Sequence, residues 1–240
     1  DEDVGGFHDF KQWFKKRAFL YKEGPKSYGL SSCRGIVLAG QSGTGKSLLS
    51  KAIANYSQLP LIRLDIAKCF SQYVGESERQ FREALDAIER ISPCVLWLDE
   101  LNRALAGGDS SGDSGTTSRI VGTFLTWLQE HDKDIFTVAT VNSTEQLPQE
   151  LLRPGRFTEI FYADLPDLEA RKEIWAIHLI GREIKIRSES IKQLANQSEG
   201  MTGAEIEKAA ENALIEAWNQ GTKKEDIDLI LVRDQIKKED

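Results

Sequence analysis

One eight-residue stretch limits the possible folds of this chain more than any other feature. Residues 40–47 read GQSGTGKS, which fits the GxxxxGK[ST] pattern, and they follow an apolar strand signal at Ile36–Ala39 and precede a helical pattern. That strand–loop–helix context is what the pattern needs to act as a phosphate cradle. The glycines let successive backbone N–H groups curl around an anion, and the helix that follows adds the positive end of its dipole. Gly40, Gln41, Ser42, Gly43, Thr44 and Gly45 would supply the cradle, with Leu48 just behind it. Lys46 would reach the β- and γ-phosphates of a nucleoside triphosphate, and the Ser47 hydroxyl would ligate Mg2+.

Such a loop needs a parallel sheet to stand on, and the remaining pattern provides one. Short apolar runs at Ile36–Ala39, Leu61–Leu64, Cys94–Leu98, Phe136–Thr140 and Ile160–Tyr162 alternate with helical patterns at Lys46–Ser57, Glu78–Arg90, Arg119–Glu130 and Pro148–Leu152. This alternation predicts an α/β domain whose five-stranded parallel sheet is covered on both faces, a three-layer sandwich. Ser77–Gln80 (SERQ) reads as a capping box opening the second helix. The run Val95–Glu100 (VLWLDE) is a buried strand that delivers two acids at its carboxyl end, where open α/β sheets bind ligands. Asp99 would hold Mg2+ through water, and Glu100 would activate the attacking water.

Beyond Leu165-Pro166-Asp167 the strand signal stops. Helical patterns at Leu168–Ile180, Ser190–Gln197, Gly203–Asn219 and Glu225–Ile236 predict a small helical domain, with a capping box at Thr202–Glu205 (TGAE). The expected division is residues 1–165 and 166–240. The stretch Ala106–Thr117, all small or acidic, is expected to be a mobile loop.

Composition narrows the function classes. With 240 residues, 40% hydrophobic and 29% charged, the chain can bury roughly 70–75% of its unfolded surface without disulfides or a structural metal. Cys33, Cys69 and Cys94 show no CxxC spacing, as expected of reduced, partly buried thiols in a reducing compartment. A net charge of −7 argues against nucleic-acid or anionic-membrane binding. The cluster Lys11, Lys15, Lys16 and Arg17, set among Phe10, Trp13, Phe14 and Leu20, reads as the wet face of an amphipathic helix. Apolar runs of four or five residues are far short of a membrane span. There is neither a signal-peptide pattern nor an initiating Met, so a domain excised from a longer protein is expected.

Together these motifs resemble the AAA+ ATPases, P-loop (Walker A and Walker B) NTPases, and within them the AAA clade, over nearly the whole chain. The residues around WLDELNRALAG and TFLTWLQE are most similar to poorly characterised AAA ATPases known as hypothetical reading frames of algal plastids and cyanobacteria. The resemblance implies an ATPase using ATP and Mg2+, with the C-terminal helices as a lid. Asp3–Gly6 (DVGG) resembles the segment that lies against the adenine, which places Gly6 there. Asn142, ending Ala139–Asn142 (ATVN), falls at the sensor-1 position and is implied to help position the lytic water. Leu151–Phe157 (LLRPGRF) resembles the second homology region, which implies that Arg153 and Arg156 are arginine fingers acting on ATP held by an adjacent subunit. Such a guanidinium offsets the charge gathered on the γ-oxygens. Tyr73 and Val74, within YVGESE, resemble the first pore loop and would grip a polypeptide; an aromatic packed under a loop is the competing reading. Gly203 and Ala204 resemble the adenine-side turn of the helical domain. His178 falls where the clade has a histidine near the ribose, with a satisfied interdomain histidine as the alternative. The stretch Ala106–Thr117 falls where a second pore loop belongs and carries nothing that grips.

The chain also departs from the pattern. Gln41 and Ser42 replace the usual prolines, Asn102 stands where a further acid is common, and Val141 replaces a polar residue before Asn142. The last two put subunit-to-subunit signalling in doubt. The family implies an ATP-promoted homo-oligomer, expected to be a hexameric ring, that remodels or threads a protein client with chaperone-like action. The alternative is an ATP-dependent switch that gates a partner without threading. The ATPase portion of a membrane-bound protease is a weaker reading, since this chain has neither an HExxH site nor a spanning segment, and no nucleic-acid partner is expected. The cytoplasm or a plastid stroma is the expected location.

Overall fold

The computed structural model describes residues 4–17, 29, 33–66, 76–102, 114–145, 147–153, 155–184, 186–222 and 236. Five strands, β1 (Gly35–Ala39), β2 (Leu61–Leu64), β3 (Cys94–Leu98), β4 (Ile135–Val141) and β5 (Glu159–Tyr162), form one sheet in the order β2-β3-β4-β1-β5. Every neighbouring pair is parallel. β1, β3 and β4 are buried along their whole length, as expected of strands covered on both faces. The helices are α1 (His8–Lys15), α2 (Lys46–Ser57), α3 (Glu76–Ile91), α4 (Ser114–Glu130), α5 (Leu168–Ile180), α6 (Ser188–Gln197) and α7 (Gly203–Asn219).

By contact the chain divides into two compact units, one of Gln12–Gly40 and Leu49–Tyr162 and the other of Asp1–Lys11, Gln41–Leu48 and Ala163–Asp240. In the first unit α3 buries Phe81, Leu85 and Ile88, and α4 buries Ile120, Phe124 and Leu128. Spacings of three and four residues put each set on one stripe. Both stripes close over Val37, Ala39, Leu96, Leu98, Ala139 and Val141. The Trp127 indole N–H donates to Glu89 Oε1 at 2.6 Å and joins the two helices. Each fully buried Leu or Phe here contributes about 1.5–3 kcal/mol. On the other face Phe14 lies 5.8 Å from both Phe136 and Tyr56, ring to ring. Phe10 and Phe14 are buried while Lys15 and Lys16 are exposed, and the Arg17 guanidinium sits 4.4 Å over the Trp13 ring.

The second unit has its own core of Trp175, Leu179, Leu194, Ile206, Ala209, Ala210 and Ala213. Alanines along α7 let α5 approach it closely, and α6 packs on α5. The Asp167 carboxylate accepts the Ala170 N–H at 2.8 Å and caps α5. Thr202 and Glu205 form the capping box that opens α7. The buried Arg171 donates to the carbonyls of Ala195 and Pro166. Among the described residues no helix is long and apolar enough to cross a membrane.

Four local expectations change. α3 begins at Glu76, so Ser77 lies inside the helix and is not its N-cap. Ser114–Thr117 form the first turn of α4; hydroxyl residues are tolerated where a helix starts, although they carry no apolar signal. Gln149–Leu152 is a single 3-10 turn with Pro148 at its N-cap, because Pro154 follows too soon for an α-helix. α6 starts two residues earlier than predicted, at Ser188. Glu225–Ile236 lies almost wholly outside the described residues. Cys33 and Cys94 are free and buried, and burial pushes the Cys94 thiol up to about 11. Cys69 lies outside the described residues.

His131 stacks on Trp127 at 4.5 Å. Burial pushes its imidazole down to about 4 from the usual 6.5, with the Arg34 guanidinium adding to the shift and Lys133 and Asp132 opposing it. The folded chain therefore keeps the ring neutral where the unfolded chain takes up a proton, so stability is expected to fall as pH drops from about 6.5 towards 4. His131→Phe should remove that component. The check is urea unfolding at pH 7 and pH 5, in which the variant's midpoint should shift less than that of the wild type.

Candidate nucleotide site

The phosphate loop leaves the sheet at Gly40, whose N–H donates to the Val141 carbonyl at 3.1 Å. Gly43 and Gly45 have φ of +82° and +93°, in the left-handed region that glycine adopts without steric cost. A Cβ at Gly43 would meet Thr202 Oγ1 at 3.1 Å, and one at Gly45 would meet the Phe7 ring at 3.4 Å. The Thr44 hydroxyl and the Lys46 ammonium both donate to the Gln41 carbonyl, at 2.8 and 2.5 Å, which folds the loop over itself. Thr44 and Lys46 are buried, whereas Gln41, Ser42, Ser47 and Leu48 are exposed. Lys46 and Ser47 open α2, placing the loop at a helix N-terminus.

The same unit brings three further segments together. The Ala204 N–H at the start of α7 donates to the Gly43 carbonyl at 3.1 Å, and Gly203 packs beside it. The Gly6 N–H donates to Glu173 Oε2 at 2.8 Å, and a Cβ at Gly5 would meet Ile174 at 2.6 Å, so this glycine pair lies close against α5. His178, on α5, has its Nδ1 3.1 Å from an Arg182 guanidinium nitrogen and 3.9 Å from Glu207 Oε1. Burial lowers its imidazole below the ordinary range, against an opposing pull from Glu207. His178 thus has polar partners of its own within the helical unit.

The carboxylates belong to the other unit. Strand registers align Leu98 with Ala139 and Ala39 with Val141, so Gly40, Asp99 and Asn142 emerge at one carboxyl edge. Asp99 Oδ1 accepts the Thr140 hydroxyl at 2.9 Å, and Oδ2 accepts the Arg63 guanidinium at 2.7 Å. Arg63 also lies 4.9 Å over the Trp97 ring. Glu100 has φ of +49°, a left-handed conformation that costs a non-glycine residue about 1–3 kcal/mol. Its N–H donates to Thr140 Oγ1 at 3.0 Å. The Asn142 N–H donates to Oδ1 of the buried Asn102 at 3.4 Å.

Arg153 and Arg156 follow the 3-10 turn, which the buried Leu151 and Phe157 anchor on either side. The Arg153 guanidinium is exposed, 4.0 Å from Glu150 Oε1, and that of Arg156 donates to the Glu150 carbonyl. Tyr73 and Val74 lie outside the described residues. Sequence reasoning missed Thr140, Arg63, Glu173 and the acceptor role of Asn102. The hydroxyl residues in an otherwise apolar buried strand, Thr137 and Thr140, were the one signal in the sequence, and of the two Thr140 is nearer the strand's carboxyl end.

These residues suit ATP with Mg2+. The loop turns through positive φ at Gly43 and Gly45, where a side chain would also press on Thr202 or Phe7. Among the described residues no cluster of three His, Cys, Asp or Glu side chains could hold a metal. A lone carboxylate and a hydroxyl instead fit an ion that takes most of its other ligands from phosphate and water.

A GxxxxGK[ST] loop that follows strand β1 and opens a helix, in a chain with a five-stranded parallel sheet and an acidic pair after β3, defines a P-loop NTPase. The chain belongs to the AAA family, the ATPase family associated with various cellular activities, which matches residues 36–165, more than half of its length. It is 46% identical over 221 residues to the uncharacterized AAA domain-containing protein ycf46 of Trieres chinensis, and 44% identical over 221 residues to that of Guillardia theta. Each alignment covers 91% of this chain, but only 44% and 43% of the respective relative. The chain thus spans less than half the length of these relatives. It is also 36% identical over 217 residues to a cell division cycle protein 48 homolog of Archaeoglobus fulgidus, covering 88% of this chain and 30% of that protein.

Proposed function

We propose that this chain binds Mg-ATP in the loop Gly40–Leu48 and hydrolyses it at the border between neighbouring copies of itself. The observation that carries the reading is the shared sheet edge bearing Gly40, Asp99 and Asn142, with Glu100 next to Asp99. Lys46 and the loop amides hold the phosphates, while Ser47 and, through water, Asp99 hold Mg2+. Glu100 is the base for the attacking water and Asn142 positions that water. Gly6, His178, Gly203 and Ala204 line the adenosine side. Arg153 and Arg156 act on ATP bound by the adjacent copy, a role supported by the exposure of Arg153 on an anchored turn. In this reading residues 1–165 form the nucleotide-binding domain and residues 166–240 its lid. ATP promotes a hexameric ring whose hydrolysis remodels or threads a protein client, gripped by Tyr73 and Val74, in the plastid stroma or the cytoplasm. The net charge of −7 disfavours a nucleic-acid client.

Turnover per chain is expected to rise with protein concentration, and mass measured with a non-hydrolysable ATP analogue should rise with it. Equal turnover per chain at every dilution would overturn catalysis between copies. Tyr73→Ala separates threading from a switch that merely gates a partner. It should abolish remodelling and leave ATPase activity intact if the residue grips; unchanged partner activity would favour the switch.

A further inference from the structure

The Asp99–Glu100 pair is held by a group with no role in the reading above. We infer that Thr140 is a positioning residue for ATP hydrolysis, its hydroxyl setting the orientation of Asp99 and the backbone of Glu100 at once. The inference rests on the roles proposed for those two acids.

A hydroxyl has one hydrogen to give and two lone pairs to accept with. Thr140 Oγ1 lies 2.9 Å from Asp99 Oδ1, 3.0 Å from the Glu100 nitrogen and 3.4 Å from the Leu98 carbonyl. A carboxylate can only accept and an N–H can only donate, so the hydrogen goes to Asp99 and a lone pair takes the Glu100 N–H. The longer Leu98 contact is the weaker competitor. Thr140 is 1% exposed, so water does not take over either bond. One side chain of β4 therefore clasps two consecutive residues beyond the end of β3.

Both bonds bear on the chemistry. Oδ1 is fixed by Thr140, which leaves Oδ2 to face a hydrated cation once the exposed Arg63 guanidinium paired with it moves aside. The Glu100 backbone sits at φ of +49°, and its N–H bond to Thr140 opposes relaxation to an ordinary conformation. That relaxation would re-aim the carboxylate that activates water. Groups that orient ligands and bases in this way typically alter activity ~10–100-fold when removed.

The test compares Thr140→Val, Thr140→Ser and Glu100→Gln in the 240-residue chain, at a concentration where the wild type turns over. Thr140→Val keeps the shape and loses the hydroxyl. It should lower kcat about 10–100-fold and raise the Mg2+ concentration for half-maximal turnover, with KM for ATP changed less than about threefold. Thr140→Ser should restore turnover to within about threefold of wild type. Thr140→Ala, which removes the hydroxyl without filling its place, should reproduce the loss if the valine variant does not fold. A wild-type kcat in Thr140→Val beside a slow Glu100→Gln overturns this inference alone. Equal losses in the serine and valine variants overturn it too, because the hydroxyl would then not be the cause. Wild-type turnover in Glu100→Gln removes the base itself, and the positioning role with it.

Discussion

Lys46→Ala is expected to weaken ATP binding by about 100-fold or more, the loss of two charge-assisted hydrogen bonds worth about 1.5–3 kcal/mol each. The size of the effect follows from where the ammonium sits. Lys46 is the first residue of α2, only 8% exposed, and its Nζ donates across the loop to the Gln41 carbonyl. It is thus already folded over the nest formed by Gly43–Gly45 and need not be ordered when a triphosphate arrives. The fold should survive, because the Thr44 hydroxyl still closes the loop on Gln41. Titration with a fluorescent ATP analogue, alongside urea unfolding, checks both halves. Unchanged affinity would remove the loop from the site.

Arg153→Ala and Arg156→Ala form the second large prediction. Each should leave nucleotide affinity within a few fold of wild type and lower turnover by up to about 10³–10⁵, the range for a guanidinium that offsets charge on a transferring phosphoryl group. The Arg153 side chain is exposed, so its removal leaves no buried group without a partner. Arg156 is expected to cost slightly more stability, since it also ties the turn to Glu150. Mixing either variant with Lys46→Ala copies is the decisive measurement. One copy then contributes an intact nucleotide loop and the other intact arginines, so turnover should return in mixed assemblies. If the mixture stays as slow as its parts, the arginines do not act on a neighbour's nucleotide.

All five strands were legible in the sequence because each carries a short apolar run: β1, β3 and β4 are buried along their whole length, and even the half-buried β2 and β5 keep Leu61-Ile62 and Ile160-Phe161. β2 and β3 match the predicted bounds. The loop was legible because its residue types are dictated by backbone conformation: Gly43 and Gly45 at positive φ admit little else. Helix beginnings were harder. Ser114–Thr117 enter α4 without an apolar residue among them, and Ser77 looks like a cap from its neighbours alone. What could not be read was the link between distant residues. Thr140 is 40 positions from Glu100 and meets it only because β3 and β4 are adjacent. Asn102, which stands out in sequence as a missing acid, becomes a carbonyl acceptor beside Asn142 for the same reason.

The tie between Ala204 and Gly43 bears on how this chain can be cut. A fragment ending at Leu165 would retain every strand, the acidic pair and the complete GQSGTGKS string. It would nevertheless lose the donor to the Gly43 carbonyl and the Thr202 side chain against which Gly43 rests. Sequence would still recognise the motif in such a piece, while its curvature would rest on the Gln41 contacts, the Gly40 bond to Val141 and the Phe7 ring beside Gly45. A fragment used to test the proposed nucleotide binding should therefore run past Ala204, beyond the stretch that bears the family signature.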